Sequence, residues 1–285
     1  MIRALALTCL WAAAAQADPA AWRVTTPEGG ELWLLGSVHY LRELDHPLPP
    51  LVDRLYAQAD VLVMELDLDD LDPLQSQAHF LAAAMLPPGR TLPEVLGPDV
   101  YSHAAERAAA FGVDLRLLDR FEPWLVAVTM LELGMVQLGY RAERGIEQYL
   151  LGKAAADGKP ILGLESLETQ IAVFDGLSTP DQRALLEQTL GELDGAEAAM
   201  AKMIAAWRNG ELDALADTLM QEFGSFPALY DALIVKRNLR WLDSLAVFLE
   251  DPRPHLVVVG ALHLVGPDSV IDSLSARGFR VEVVE

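Results

Sequence analysis

Three short, almost purely apolar runs, set far apart by helix-patterned chain, constrain this sequence more than any other feature. They are Val61-Leu62-Val63-Met64-Glu65-Leu66, Ile161-Leu162-Gly163-Leu164 and Leu256-Val257-Val258-Val259. None alternates polar with apolar residues, so each reads as a strand covered on both faces, the condition of a parallel sheet between helices. A further pair, Trp22 to Thr26 and Glu31 to Leu35, flanks the turn signal Pro27-Glu28-Gly29-Gly30 and predicts an N-terminal β-hairpin.

Helical pattern fills most of the remainder. It covers Leu51 to Asp60, about 70–140 with breaks at Pro87-Pro88-Gly89 and Pro123, and Glu147 to Ala156. Thr179-Pro180-Asp181 opens another helical stretch, which reaches about Glu250 with breaks at Asn209-Gly210 and near Gly224 to Pro227. A helix near Asp268 to Ala276 and a strand at Arg280 to Val284 close the chain. The expected fold is a single α/β domain over 18–285, with a mostly parallel central sheet. The stretches at about 70–140 and 175–250 are too long for simple crossovers and are expected to form a helical cap.

Residues 1–17 read as an export leader, with Arg3, the apolar run Ala4 to Ala15 and the cleavage pattern Ala15-Gln16-Ala17. That apolar run is shorter than the roughly 20 residues a membrane span needs. Export to the periplasm is therefore expected, with no membrane span in the mature chain. Cys9 is the one cysteine and lies in the leader, so a metal site in the mature chain would rest on histidine and carboxylate ligands. Twenty-one basic residues against 42 acidic ones give a net charge of −21, which argues against nucleic acid or an anionic membrane as partner. Composition leaves the oligomeric state open.

Two of the apolar runs lead into the same spacing, Gly36-Ser37-Val38-His39 and Gly260-Ala261-Leu262-His263. Gly36 and Gly260 let the backbone turn sharply at the strand's carboxyl end. A histidine three residues on then points into the crevice where open α/β sheets bind ligands. Glu65 and Glu165 stand at the same level, each where an apolar run meets its loop. Two imidazoles and a carboxylate suffice for a divalent ion such as Zn, Mn or Co with an open position. The expected set is His39, Glu65 and His263, with Glu165 as a base or as a supporting partner. Each residue also has a plainer role. The histidines suit structural hydrogen bonds, Glu65 suits strand-end amides, and Glu165 suits the start of the next helix. Ser37 and Ser166 lie in no G-x-S-x-G elbow, so serine nucleophile chemistry is disfavoured.

These same positions carry a family resemblance. Leu35-Gly36-Ser37-Val38-His39 resembles the G-T-x-H opening of the TraB/GumN family, which includes the TIKI proteins, with Ser37 in place of threonine. Met64-Glu65-Leu66 and Gly163-Leu164-Glu165 with Gln170 resemble two further segments, and Gly145-Ile146-Glu147 stands where a glycine, a hydrophobic residue and an aspartate are common. Trp207-Arg208-Asn209-Gly210-Glu211, Arg237-Asn238 with Trp241, and Val259-Gly260-Ala261-Leu262-His263-Leu264-Val265-Gly266 match the rest. The resemblance implies a core related to the erythromycin-esterase and ChaN-like group, with paired G-x-x-H histidines and a glutamate in one site. TIKI proteins are described as metal-dependent proteases, so a metal-dependent peptidase or other hydrolase of acyl substrates is implied.

Arg237 is expected to stabilise an oxyanion or substrate carboxylate, or else to pair with an acid such as Asp231 or Glu65. Asn238 and Arg144 are candidate substrate contacts, and Trp207 and Trp241 are expected to pack. Two other functions stay open: a metal- or haem-binding protein without turnover, and an interaction protein whose helical lobe docks a partner.

Overall fold

The computed structural model describes residues 18–284 apart from Leu68 and Ser225, and leaves aside the side chains of Leu219 and Glu222. The leader expected at residues 1–17, with Cys9, lies outside the described residues.

Six strands form one sheet: β1 (Ala21–Thr25), β2 (Glu31–Ser37), β3 (Val61–Leu66), β4 (Ile161–Glu165), β5 (His255–Gly260) and β6 (Arg280–Val283). Their order across the sheet is β4-β3-β5-β2-β1-β6. The four apolar strands in the middle of the chain's plan run parallel, β4 to β3, β3 to β5 and β5 to β2. β1 pairs antiparallel with both β2 and β6, so the expected hairpin is present and the sheet is mostly parallel. Every residue of β5 is buried, as its unbroken apolar run requires of a strand with helices on both faces.

The decisive register is that between β2 and β5, which sets Gly36 beside Val259 and Ser37 beside Gly260. Two chain segments from opposite ends of the sequence therefore leave the sheet side by side. Gly36 is needed there, because a Cβ on it would sit 3.1 Å from Ala261 Cα and 3.3 Å from Ala20 O.

The helical insertions pack in two sets. Helices Pro98–Ala110, Pro123–Gln137 and Thr179–Glu192 share their own apolar cluster, with Leu96, Ala104, Met130, Leu186 and Leu190 at its centre. Helices Ala196–Arg208, Leu212–Phe223 and Lys236–Glu250 bury Trp207, Leu215, Trp241 and Leu245 in the core of the sheet itself. Thr179–Glu192 thus joins the 70–140 insertion in a separate lobe, while Ala196–Arg208, Leu212–Phe223 and Lys236–Glu250 cover the sheet. Their bulky apolar residues explain the division, since Trp207 and Trp241 are fully buried against strand side chains. A π-helical turn, Asp231–Val235, runs directly into Lys236–Glu250. Among the described residues no helix is long and apolar enough to cross a membrane.

Candidate functional site

His39, Glu65 and His263 converge at the carboxyl ends of β2, β3 and β5. His39 Nε2, Glu65 Oε1 and His263 Cδ2 lie 3.4, 3.5 and 3.5 Å from the point where a Cβ on Gly260 would stand. The glycine is thus the floor of the space these three side chains share.

Each imidazole is held through Nδ1. His39 Nδ1 stands 2.7 Å from Glu147 Oε1, and that same oxygen accepts the Ser37 hydroxyl. Gly145 permits this approach, because a Cβ there would run into the His39 carbonyl at 2.2 Å. His263 Nδ1 stands 2.7 Å from Asn238 Oδ1, while Asn238 Nδ2 donates to the backbone carbonyls of Asp268 at 2.8 Å and His263 at 3.3 Å. With both amide protons used, Asn238 offers Oδ1 as acceptor, so His263 carries its proton on Nδ1 and a lone pair on Nε2.

Arg237 faces that lone pair, with Nη1 at 3.2 Å from His263 Nε2. Its Nη2 donates to Glu65 Oε2 and Glu165 Oε1, both at 2.5 Å, and its Nε donates to Glu165 Oε1 at 3.0 Å. Glu65 Oε1 accepts the Gly260 N–H at 2.8 Å. Gln170 Nε2 reaches Glu65 Oε2 at 3.5 Å and Glu165 Oε1 at 3.4 Å, and Trp241 Nε1 reaches Glu165 Oε2 at 3.3 Å. The Trp241 ring lies 4.6 Å from the His263 ring and 4.9 Å from the Arg237 guanidinium carbon, which makes it a wall of the site as well as a packing residue. Trp207 Nε1 donates to Gly36 O at 2.6 Å and fixes the turn out of β2.

The two imidazoles have opposite electrostatic settings. The Glu147 carboxylate raises the His39 pKa, against the desolvation of the ring, and Glu65 adds to the rise. Burial lowers the His263 pKa to about 3, with Arg237 and His39 adding to it against Glu65. Burial opposes ionisation of Glu65, yet the charges of Arg237 and His39 and the Gly260 N–H hold its pKa below the ordinary carboxylate value. The side chain of His39 is 56% exposed whereas that of Glu165 is 3% exposed, so the site opens to solvent on the His39 side.

Several expected roles change on this geometry. Glu165, expected as a base or supporting partner, has its oxygens enclosed by Arg237, Trp241 and Gln170. Asn238 is fully buried and holds His263, so the expected substrate contact is not open to it. Arg144 lies on the rim with its guanidinium on Glu43 at 3.1 Å, outside the cluster. Glu147 and Gln170 join the site though neither stood among the candidate side chains. Their signal was in the sequence, as Gly145-Ile146-Glu147 and as the glutamine five residues after Glu165.

A divalent ion fits these donors in kind, since two imidazoles tied through Nδ1 and one carboxylate are the nitrogen and oxygen ligands that Zn, Mn and Co take. The set is not closed as it stands. Among the described residues no group of three histidine, cysteine or acidic side chains is poised to hold an ion, and Arg237 covers both His263 Nε2 and Glu65 Oε2.

The sequence matches the TraB/PrgY/gumN family over residues 20–283. It is 31% identical over 244 residues to the uncharacterized protein YbaP of Escherichia coli (strain K12), covering 85% of this chain and 87% of that one. YbaP of Shigella flexneri matches at the same 31% identity over 244 residues, and an uncharacterized protein of Treponema pallidum (strain Nichols) is 24% identical over 282 residues, 90% of this chain and 80% of its own. No solved structure matches the chain. A match from the first strand to the last, through the segments that carry both histidines, makes this chain a member of the TraB/PrgY/gumN family.

Proposed function

We propose that this protein is an exported hydrolase that cleaves a peptide or related acyl substrate with water activated among His39, Glu65 and His263. One observation carries the reading: two imidazoles from opposite ends of the chain, each oriented through Nδ1 by its own partner, meet one carboxylate where parallel strands end. Orienting bonds of that kind set tautomer and ring direction, which packing alone does not require. A divalent ion held by His39, Glu65 and His263 would supply a Lewis acid and lower the pKa of water beside it toward 7. The chain's own contribution is to fix the two rings through Glu147 and Asn238 and to balance the paired carboxylates with Arg237. Substrate reaches the site from the half-open His39 side.

A second reading needs no ion. His39, with Nδ1 on Glu147 and its ring half exposed, forms an imidazole–carboxylate pair able to take a proton from water at Nε2. Glu147 holds the His39 pKa above its usual value, so such a base works at alkaline pH.

Metal analysis of protein purified without chelators, alongside His39→Ala and His263→Ala, tests the first reading together with a panel of peptides, esters and lactones. Bound ion lost in both variants and chelator-sensitive cleavage support it. Cleavage that survives chelation and rises at alkaline pH selects the second. Metal-replete protein that turns over nothing in the panel leaves only a binding role. Export is tested by sequencing the N-terminus of protein from the periplasmic fraction, which should begin at Asp18.

A further inference from the structure

We infer that Arg237 is the resident cation of this centre, occupying the donor atoms through which His263 and Glu65 would bind a divalent ion and thereby setting how tightly that ion is held. This rests on the metal-dependent reading of the same site. It differs from the oxyanion or substrate-carboxylate role that the sequence suggests for an arginine here.

The guanidinium is fully committed. Nε and Nη2 serve Glu165, Nη2 also serves Glu65, and Nη1 serves His263 Nε2 and the Leu233 carbonyl, the latter at 3.4 Å. No donor direction faces away from the protein, so a substrate anion has nothing to displace except one of these partners. A guanidinium spending an N–H on an imidazole lone pair is a weak use of it, since the same atom bonds more strongly to a carboxylate. The lone pair, for its part, is the atom a metal would take.

Charge explains why a cation stands there at all. Glu65 and Glu165 meet across a single guanidinium nitrogen, 2.5 Å from each, in a buried setting. Two carboxylates that close together need a positive charge between them. Arg237 supplies one, and a divalent ion held by His263 and Glu65 would draw on atoms that Arg237 already occupies, so the two would compete. The arginine is also built to yield on one side. Its bonds to Glu165 through Nε and Nη2 involve none of the three expected ligands, so Nη1 can leave His263 while the side chain stays anchored. The anchoring backbone lies just past the π-helical turn Asp231–Val235, a local irregularity often found at functional sites.

The test is a titration of metal-free protein with Co²⁺, followed by its visible absorption and by calorimetry, on wild type, Arg237→Gln, Arg237→Lys and His39→Ala. Removing the competing charge should tighten Co²⁺ binding in Arg237→Gln by about tenfold or more, the equivalent of a single modest charge interaction. Should the glutamine variant fail to fold, as judged by circular dichroism, Arg237→Lys decides. Lysine cannot span both carboxylates and His263, so it too should bind Co²⁺ more tightly than wild type. Binding that disappears in His39→Ala but is equal or weaker in the Arg237 variants overturns this inference and leaves the metal-dependent reading standing. No Co²⁺ binding by wild type or by either Arg237 variant overturns both.

Discussion

Glu147 Oε1 lies 2.7 Å from Nδ1 of His39 and sets the direction of a ring otherwise half open to solvent. The carboxylate is itself fixed by the Ser37 hydroxyl and by its place in the first turn of helix Ile146–Asp157. Glu147→Gln keeps an acceptor for Nδ1 and removes the charge. Losing a charged partner behind a working histidine typically costs about 10–100-fold in metal affinity or activity. We expect a loss of that size in kcat/KM, with the His39 pKa falling toward its ordinary value in an NMR titration. A variant with unchanged turnover and an unchanged titration would show that Glu147 is only a packing partner.

The two histidines should pull stability in opposite directions along the pH scale. The His263 pKa is depressed to about 3 from an ordinary 6.5, so the neutral ring contributes stability above pH 6.5 that is lost as pH falls toward 3. His39 is raised to about 9, so its contribution is complete below pH 6.5 and is lost as pH climbs through 9. The half-open ring of His39 makes the alkaline loss the smaller of the two. Urea midpoints measured from pH 3 to pH 10 should peak near neutrality. His263→Gln should flatten the acid limb and His39→Gln the alkaline one. Identical limbs in wild type and variants would contradict these environments.

Asn238 carries three buried bonds with one amide. In Asn238→Leu the His263 N–H and two backbone carbonyls lose their partner, and a buried polar group left unmade costs about 1–3 kcal/mol. A fall in melting temperature of several degrees is expected, since 1 kcal/mol moves a protein of this size by roughly 2–4 °C. Asn238→Asp keeps an acceptor for Nδ1 but sets a buried carboxylate oxygen against the two carbonyls, so it should be destabilised as well. Equal melting temperatures for Asn238→Leu and wild type would mean that His263 finds another partner.

Gly260→Ala separates function from folding. The backbone there, at φ −49° and ψ 132°, is open to any residue, and the added methyl would meet its neighbours at ordinary contact distance. Stability should change by no more than about 1 kcal/mol. The methyl would nonetheless stand in the space shared by His39, Glu65 and His263, so metal binding or turnover should drop sharply. Full activity in a stably folded Gly260→Ala protein would place the working space elsewhere.

What the sequence determined by itself was the frame. Uninterrupted apolar runs at 61–66, 161–164 and 256–259 required strands, the first and last largely buried and the second a part-buried strand at the sheet's edge, and the G-x-x-H after two strands put a histidine at each carboxyl end. Those inferences are local, since burial and turn chemistry are written in neighbouring residues. Tertiary structure decided who meets whom. The order β4-β3-β5-β2 brings Glu165, Glu65, His263 and His39 to adjacent strand ends. The seating of Lys236–Glu250 on the sheet then drives Arg237 between the two glutamates and Asn238 beneath His263. No periodicity encodes those pairings, because they depend on which helix face reaches which strand end. The same packing set Glu165 against the Arg237 guanidinium, and it made Glu147, a single charge in a short motif, the partner of His39.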